Sequence, residues 1–187
     1  MSLLREAFDV PVWGSDYTAK SVPCQRVLTD GETLNLGRQT WTVLITPGHH
    51  PGHVCLFSEA GLVAGDMLAG IGTILIPPHT GDMNEYLHQL ERLKALKPHL
   101  VFPSHGPVVA IPDRLIDHYL SHRRARHARV LEAVRNGASQ LAKIAKEAYA
   151  DTPEAHPGLA VDQTLSHLRA LAADGTVCEE NGTWRTN

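Results

Sequence analysis

The sequence has 187 residues, a formal net charge of −3 and the composition of an ordinary globular protein. This length allows one large domain or two small ones. The charge gives no global reason to expect a nucleic-acid partner. Three scattered cysteines (Cys24, Cys55 and Cys178) argue against a disulfide framework and favour a reducing compartment. There is no apolar run of the roughly 20 residues that a membrane-spanning helix needs, and no signal-peptide core, so the sequence predicts a cytoplasmic protein with no membrane partner.

The first predicted elements are short. Residues 3–8 predict the last turns of a helix, residues 10–13 a short strand and residues 14–19 a loop. Turn residues on both sides of 32–36 predict a hairpin strand there. The apolar and β-branched run 41–45 predicts a buried strand.

The stretch TPGHHPGHVCLFSEAGLVAGD follows that strand and organises the chain. Its Pro-Gly pair ends the strand and leaves His49 just past the strand end. A β-hairpin comes next, with predicted strands over 54–57 and 62–64. Gly65 then allows the backbone to pass close to the site, and Asp66 follows it.

A second strand-end loop lies farther along the chain. Residues 68–76 predict a loop with a short strand, and Asp82 caps a helix with an apolar stripe. Residues 100–102 predict a strand, and the loop PSHGP after it carries His105. This alternation of helix and strand is typical of an α/β fold.

Two histidines and one aspartate therefore follow the ends of separate strands. Imidazole and carboxylate groups in such an arrangement are typical of a metal site, and they suit zinc. We predict His49, Asp66 and His105 as metal ligands.

After Pro112 the predicted elements are mainly helices. Residues 113–135 predict a long helix capped by Asp113, and a second helix begins at Ser139. Residues 161–173 predict a third helix, and 176–186 a hairpin that turns at Asn-Gly. Three helices and a terminal hairpin predict an α+β winged helix, so the domains are predicted as 1–112 and 113–187.

The motifs TPGHHPGH, GD and PSHGP, in that order, resemble the second half of a metallo-β-lactamase-fold hydrolase. The resemblance implies an α/β fold, the αββα sandwich of that superfamily, represented by its C-terminal part. It implies two zinc ions, with His49 as a ligand of the first, Asp66 bridging both and His105 as a ligand of the second. The HxHxDH motif that supplies the remaining ligands is absent, because His49 is the first histidine in the sequence. We therefore expect a truncated chain that is inactive by itself.

The predicted C-terminal domain and the segments YLSHRRAR and YLHQLERL resemble the β-lactamase-like protein 2 subfamily, which includes endoribonucleases. The resemblance implies RNA phosphodiester hydrolysis by the intact protein. A glyoxalase II-like thioester hydrolase is one alternative. A non-enzymatic binding module built on a degenerate hydrolase domain is another.

The roles of further polar side chains are less clearly indicated. His50 is a loop residue that could also contact substrate, and His53 is expected to orient the loop through a hydrogen bond. Arg123, Arg124 and Arg126 have no acid between them on the long helix. They could bind phosphate groups of a substrate, or they could form a solvated helix face.

Two expectations concern partners. Residues 138–187 hold four Lys/Arg against seven Asp/Glu, and the third helix offers only His167 and Arg169, so we expect no sequence-specific DNA binding. The apolar face formed by Trp41, Val43, Ile45, Val54 and Leu56 would lack cover in a truncated sandwich. Self-association would restore that cover.

Overall fold

The computed structural model describes residues 7–187, so the helix predicted over 3–8 lies mostly outside the described residues. The elements in chain order are β1 (Trp13–Ser15), α1 (Asp16–Ala19), β2 (Arg26–Leu28), β3 (Thr33–Leu36), β4 (Gln39–Ile45), β5 (Val54–Ser58), β6 (Gly61–Gly65), α2 (Met83–Ala95), β7 (Val101–Pro103), α3 (Pro112–Arg135), α4 (Leu141–Ala148), α5 (Pro157–Ala173), β8 (Val177–Glu180) and β9 (Thr183–Thr186). Within the described part of the chain, every helix is too short or too polar to cross a bilayer.

Three local predictions were wrong. The first strand begins at Trp13, and the predicted loop after it contains α1 because the Ser15 side chain caps that helix. Residues 68–76 contain no strand. Helix α3 is capped by Ile111 without a side-chain hydrogen bond, since Pro112 already starts the helix one residue before Asp113.

The main sheet has five strands in the order β3-β4-β5-β6-β7. All neighbouring pairs are antiparallel except β6 and β7, which are parallel. Strands β4, β6 and β7 therefore run in the same direction, and their carboxyl ends meet at one edge of the sheet. We call this edge the carboxyl edge.

The face of this sheet that packs against helices holds the largest core. Leu44 and Cys55, which are paired across β4 and β5, point into it. Helices α2 and α3 cover this face with the buried side chains Tyr86, Leu90, Leu93, Ile116, Tyr119 and Leu120. Because strand side chains alternate between faces, Val43 beside Leu44 points to the opposite side.

The opposite face of the sheet is partly covered. Val43 is fully buried against Leu28 of β2 and Leu34 of β3. Its neighbours Ile45, Val54 and Leu56 are only partly buried. The N-terminal strands thus supply some of the cover that the sequence predicted to be missing.

The C-terminal helices and hairpin enclose a second core that contains Val130, Ile144, Leu168 and Trp184. Helix α3 belongs to both cores, since its first half contributes Ile116 to the larger one. The hairpin prediction is confirmed: β8 pairs with β9, and the two turn residues 181 and 182 have positive φ. The boundary between 112 and 113 stays a prediction.

Candidate metal centre

The structure brings His49, Asp66 and His105 together at the carboxyl edge. Each follows a strand that ends there: β4, β6 and β7 respectively. The Nε2 atom of His49 lies 3.7 Å from Oδ2 of Asp66, and the Nε2 atom of His105 lies 3.3 Å from Oδ1. The carboxylate therefore sits between two imidazole nitrogens.

The His49 ring is held by its other nitrogen. Nδ1 lies 2.7 Å from the carbonyl oxygen of Leu75, which can only accept a hydrogen bond. Nδ1 must therefore carry the proton, and the lone pair of the neutral ring is on Nε2. Metal-binding histidines typically have this arrangement, in which a backbone carbonyl fixes the tautomer and the ring orientation.

The Asp66 carboxylate has an unsatisfied oxygen. Oδ1 is buried and has no hydrogen-bond partner among the described residues, because the nearby His105 Nε2 is not placed for a hydrogen bond. A buried carboxylate oxygen without a donor is costly unless a cation faces it. This oxygen is therefore a position at which a metal ion would satisfy the site.

His53 holds the backbone of Asp66. Its Nε2 accepts a hydrogen bond from the Asp66 N–H at 3.0 Å, so Nδ1 carries the proton and donates to Thr46 Oγ1 at 2.8 Å. Burial, followed by the neighbouring His49, lowers the pKa of His53 to about 4. The predicted role of His53 in orienting the loop by a hydrogen bond is confirmed.

Two glycines allow the close approaches that this arrangement requires. Gly65 has φ +52°, and a Cβ there would lie 2.6 Å from His53 Nε2. Gly48 has φ +132°, and a Cβ there would lie 2.4 Å from the Tyr86 Cα at the start of α2. Any larger residue would push the histidine loop away from Asp66 or from α2.

The His105 loop is joined to the Asp66 loop through the backbone. The Ser104 N–H donates to the Gly65 carbonyl at 3.2 Å, and the Gly70 N–H donates to the His105 carbonyl at 2.8 Å. The His105 side chain itself is 69% exposed. Its backbone is thus fixed while its ring is open to solvent.

The donor set fits a zinc ion but is incomplete. Two ligand atoms that each lie about 2.1 Å from a tetrahedral zinc ion are roughly 3.4 Å apart. The distances from the Asp66 oxygens to Nε2 of His49 and of His105 are close to this value. However, no group of three His, Cys, Asp or Glu side chains in residues 7–187 is close enough to hold one ion. The described residues therefore present fewer donors than one zinc site needs, grouped around Asp66.

The other predicted contact residues lie elsewhere. His50 is exposed, stacks edge-on against Tyr17 with ring centroids 5.3 Å apart, and accepts a hydrogen bond from the Gly52 N–H. Arg124 is exposed and pairs with Glu91 of α2. These positions do not place either side chain against Asp66.

Arg123 and Arg126 are buried, 3% and 6% exposed. Arg123 donates to the Ile74 carbonyl and to Gln163, while Arg126 donates to the Ala148 carbonyl and pairs with Asp151. This differs from the exposed phosphate-binding face considered from the sequence, because α5 takes up the guanidinium group of Arg123, and the end of α4 with the loop after it takes up that of Arg126.

Sequence reasoning missed the groups that support His49. The acceptor of its Nδ1 proton is a backbone carbonyl, for which no residue type gives a signal. The residues that hold that carbonyl, above all Gln163, lie far along the chain on α5. The available signal was weak: Gln163 and Ser166 are polar residues among the apolar ones of the helix predicted over 161–173.

Comparison with known proteins identifies relatives of this arrangement. Residues 3–105 match the model of the metallo-beta-lactamase superfamily. The beta-lactamase-like protein 2 homolog of Drosophila melanogaster is 34% identical over 137 residues, which cover 71% of this chain and 46% of that protein. The atrochrysone carboxyl ACP thioesterase of Aspergillus fumigatus is 28% identical over 116 residues, covering 61% of this chain and 36% of that protein.

A solved structure shows the same fold. The beta-lactamase domain protein from Burkholderia ambifaria superposes with a TM-score of 0.78 at 27% identity, covering 89% of this chain and 53% of that one. The chain thus spans about half the length of the fly homologue and of this structure.

Proposed function

Because this chain belongs to the metallo-beta-lactamase superfamily, and within it to the beta-lactamase-like protein 2 group, we propose that it supplies part of a dinuclear zinc site of a hydrolase. His49, Asp66 and His105 are the ligands it contributes. The observation that supports this most is the buried, unpartnered Oδ1 of Asp66 between two imidazole Nε2 atoms. The remaining ligands of the family come from HxHxDH, which is absent from residues 1–187.

The residues of this chain have distinct tasks in that proposal. Bound zinc supplies a hydroxide nucleophile near neutral pH and polarises the bond to be cleaved. Asp66 would contribute its carboxylate to the zinc ions, since its two oxygens face different histidines. His49 presents Nε2, since Leu75 accepts the proton on Nδ1. His53 stays neutral and holds the Asp66 backbone.

For the substrate of the whole protein we propose an RNA phosphodiester, as the subfamily resemblance implies. The chemistry that zinc held by His49, Asp66 and His105 would supply is compatible with a phosphodiester substrate. The arginines of α3 lend little support, since Arg123 and Arg126 are buried and Arg124 is paired.

A thioester is the second candidate. It is favoured by the similarity to the Aspergillus fumigatus thioesterase and by the burial of Arg123 and Arg126, because a thioester carbonyl needs no basic surface beside the metal. RNA cleavage by the whole protein without thioester cleavage would favour the first candidate, and the reverse result the second.

The test uses zinc affinity and turnover of the chain. We expect His105→Ala to weaken zinc binding about tenfold or more, and the matched variant His99→Ala to leave it unchanged. His99 is exposed and lies before β7, whereas His105 follows that strand. The metal role is wrong if both variants bind zinc as the unaltered chain does.

The chain alone is proposed to be inactive, since its ligand set is incomplete. RNA and a generic thioester should therefore stay intact with the zinc-loaded chain. Turnover above that of His105→Ala would contradict this.

Three properties of the tail and the sheet are also proposals. We propose that α3, α4, α5 and the β8–β9 hairpin form a winged helix that binds duplex DNA only weakly and without sequence preference, because His167 is buried and Arg169 donates to the Pro78 carbonyl. We propose self-association through the partly covered sheet face at Ile45, Val54 and Leu56, detectable as a dimer by light scattering at micromolar concentration. The cytoplasmic location stays a prediction from the sequence.

A further inference from the structure

A segment without a strand partner lies beside the metal centre. Residues 74–78 contain no helix or strand, yet Ile74 and Ile76 are 4% and 0% exposed. Backbone N–H and C=O groups in a buried segment need hydrogen-bond partners, and a sheet would normally supply them. Here side chains from α3 and α5 supply them.

Gln163 of α5 takes the place of a neighbouring strand. Its Oε1 accepts from the Ile76 N–H at 3.2 Å, and its Nε2 donates to the Ile76 carbonyl at 2.8 Å. These are the two hydrogen bonds that one residue exchanges with its partner in an antiparallel pair. Ser166, one turn later on α5, also donates to the Ile76 carbonyl, at 2.8 Å.

Arg123 fixes the orientation of that carboxamide. Its guanidinium donates to Gln163 Oε1 at 3.0 Å and to the Ile74 carbonyl. Two donors therefore converge on Oε1, and the amide nitrogen must face the Ile76 carbonyl. Within residues 7–187, Arg123 forms no ion pair with a carboxylate: its guanidinium donates to neutral acceptors, and its Cζ lies 5.7 Å from the centroid of the Tyr86 ring.

Leu75 lies between the two clamped residues. Its own carbonyl accepts the Nδ1 proton of His49, and its side chain is 37% exposed. Packing of the Leu75 side chain therefore does little to set the direction of this carbonyl. The Ile76 N–H belongs to the same peptide group as the Leu75 carbonyl and donates to Gln163 Oε1, so Gln163 holds this peptide group directly. The peptide groups on either side are held by Arg123 at the Ile74 carbonyl and by Gln163 and Ser166 at the Ile76 carbonyl.

We propose that Gln163, assisted by Ser166 and Arg123, is a positioning residue for His49. The C-terminal helices then belong to the metal centre, because they orient its histidine ligand through the Leu75 carbonyl. Only the identity of His49 as a ligand rests on the proposed function; the control of its ring by α5 does not.

The experiment replaces Gln163 by Leu, which has a similar size and no hydrogen-bonding group, in the complete chain. Asp162→Ala is the matched control, since Asp162 is the exposed neighbour on the same helix.

The first measurement is the ring ¹⁵N NMR signal of His49 in metal-free protein. We expect the Nδ1–H tautomer in the unaltered chain and in the control, and a mixture of tautomers in Gln163→Leu. The second is zinc affinity, which should fall about tenfold in Gln163→Leu alone.

Ser166→Ala serves if Gln163→Leu does not fold, because it removes only one hydrogen bond to Ile76. It should shift the tautomer ratio in the same direction by a smaller amount. An unchanged His49 tautomer in every folded variant would overturn the proposal, even if thermal stability falls. A shifted tautomer in a chain that binds no zinc would leave the positioning role intact and contradict the proposed function instead.

Discussion

The side chains at the carboxyl edge of the sheet and those between α3 and α5 are similarly polar, but their hydrogen bonding differs. At the edge, Oδ1 of Asp66 has no partner in residues 7–187 and the His105 side chain is 69% exposed. Between the helices, Gln163, Ser166 and Arg123 are buried and each donates to a backbone carbonyl. The unpartnered group at the edge is a carboxylate oxygen, which a cation could satisfy, whereas the polar side chains between the helices hold backbone carbonyls, although Nε of Arg123 has no partner in residues 7–187.

The largest effect that this comparison predicts is on stability. Arg123→Ala should lower the free energy of unfolding by about 3 kcal/mol, because the buried Ile74 carbonyl and Gln163 Oε1 each lose a donor. Arg124→Ala, its neighbour on the exposed side of α3, should change it by less than about 0.5 kcal/mol. Urea unfolding followed by circular dichroism measures both. Similar values for the two variants would remove the distinction between a supporting arginine and a solvated one.

The sequence predicted the residues at the carboxyl edge but not the side chains of α3 and α5 behind them, and the difference has a physical reason. Strand ends carry a local signal in apolar runs and Pro-Gly turns, and the common direction of β4, β6 and β7 then brings His49, Asp66 and His105 together. Their role as metal ligands stays a prediction. The support depends on contacts between residues far apart in the chain, such as Ile76 with Gln163, which local periodicity does not encode.

The run of arginines shows the same limit. Arg123, Arg124 and Arg126 are of one residue type within one helical turn, yet only Arg124 is exposed. The helical period places 123 and 126 on the face that meets α4 and α5, and neutral acceptors were available there. Residue charge alone therefore predicted a solvent-exposed helix face where the structure has contacts between helices.

The second prediction concerns pH. His167 is fully buried beside His127, and burial, followed by the nearby Arg123, holds its pKa well below 6.5. In the unfolded chain it takes up a proton below its ordinary pKa, while in the folded chain it stays neutral. Stability should therefore be level above pH 6.5 and fall below it, by about 1.4 kcal/mol per pH unit for this one proton.

Two variants isolate that contribution. His167→Gln should make the decline between pH 6.5 and 5 shallower, whereas His118→Gln, an exposed residue on α3, should leave the slope as it is. Urea midpoints measured across this range give the slopes. A slope that does not change in His167→Gln would mean that the buried histidine is protonated in the folded chain.

The smallest effect should be seen at the edge itself. Asp66→Asn should lower the free energy of unfolding by no more than about 0.5 kcal/mol at pH 7.5 without metal, because Oδ1 has no hydrogen bond to lose and the facing histidines are charged only when protonated. Asp30 provides the contrast: it accepts the Ile45 N–H and pairs with Arg92 through both oxygens, so Asp30→Asn should cost more, about 1 kcal/mol. Thermal unfolding of both variants decides the order. A larger loss for Asp66→Asn would show that this carboxylate stabilises the fold without a metal, and that its unsatisfied oxygen does not mark a ligand site.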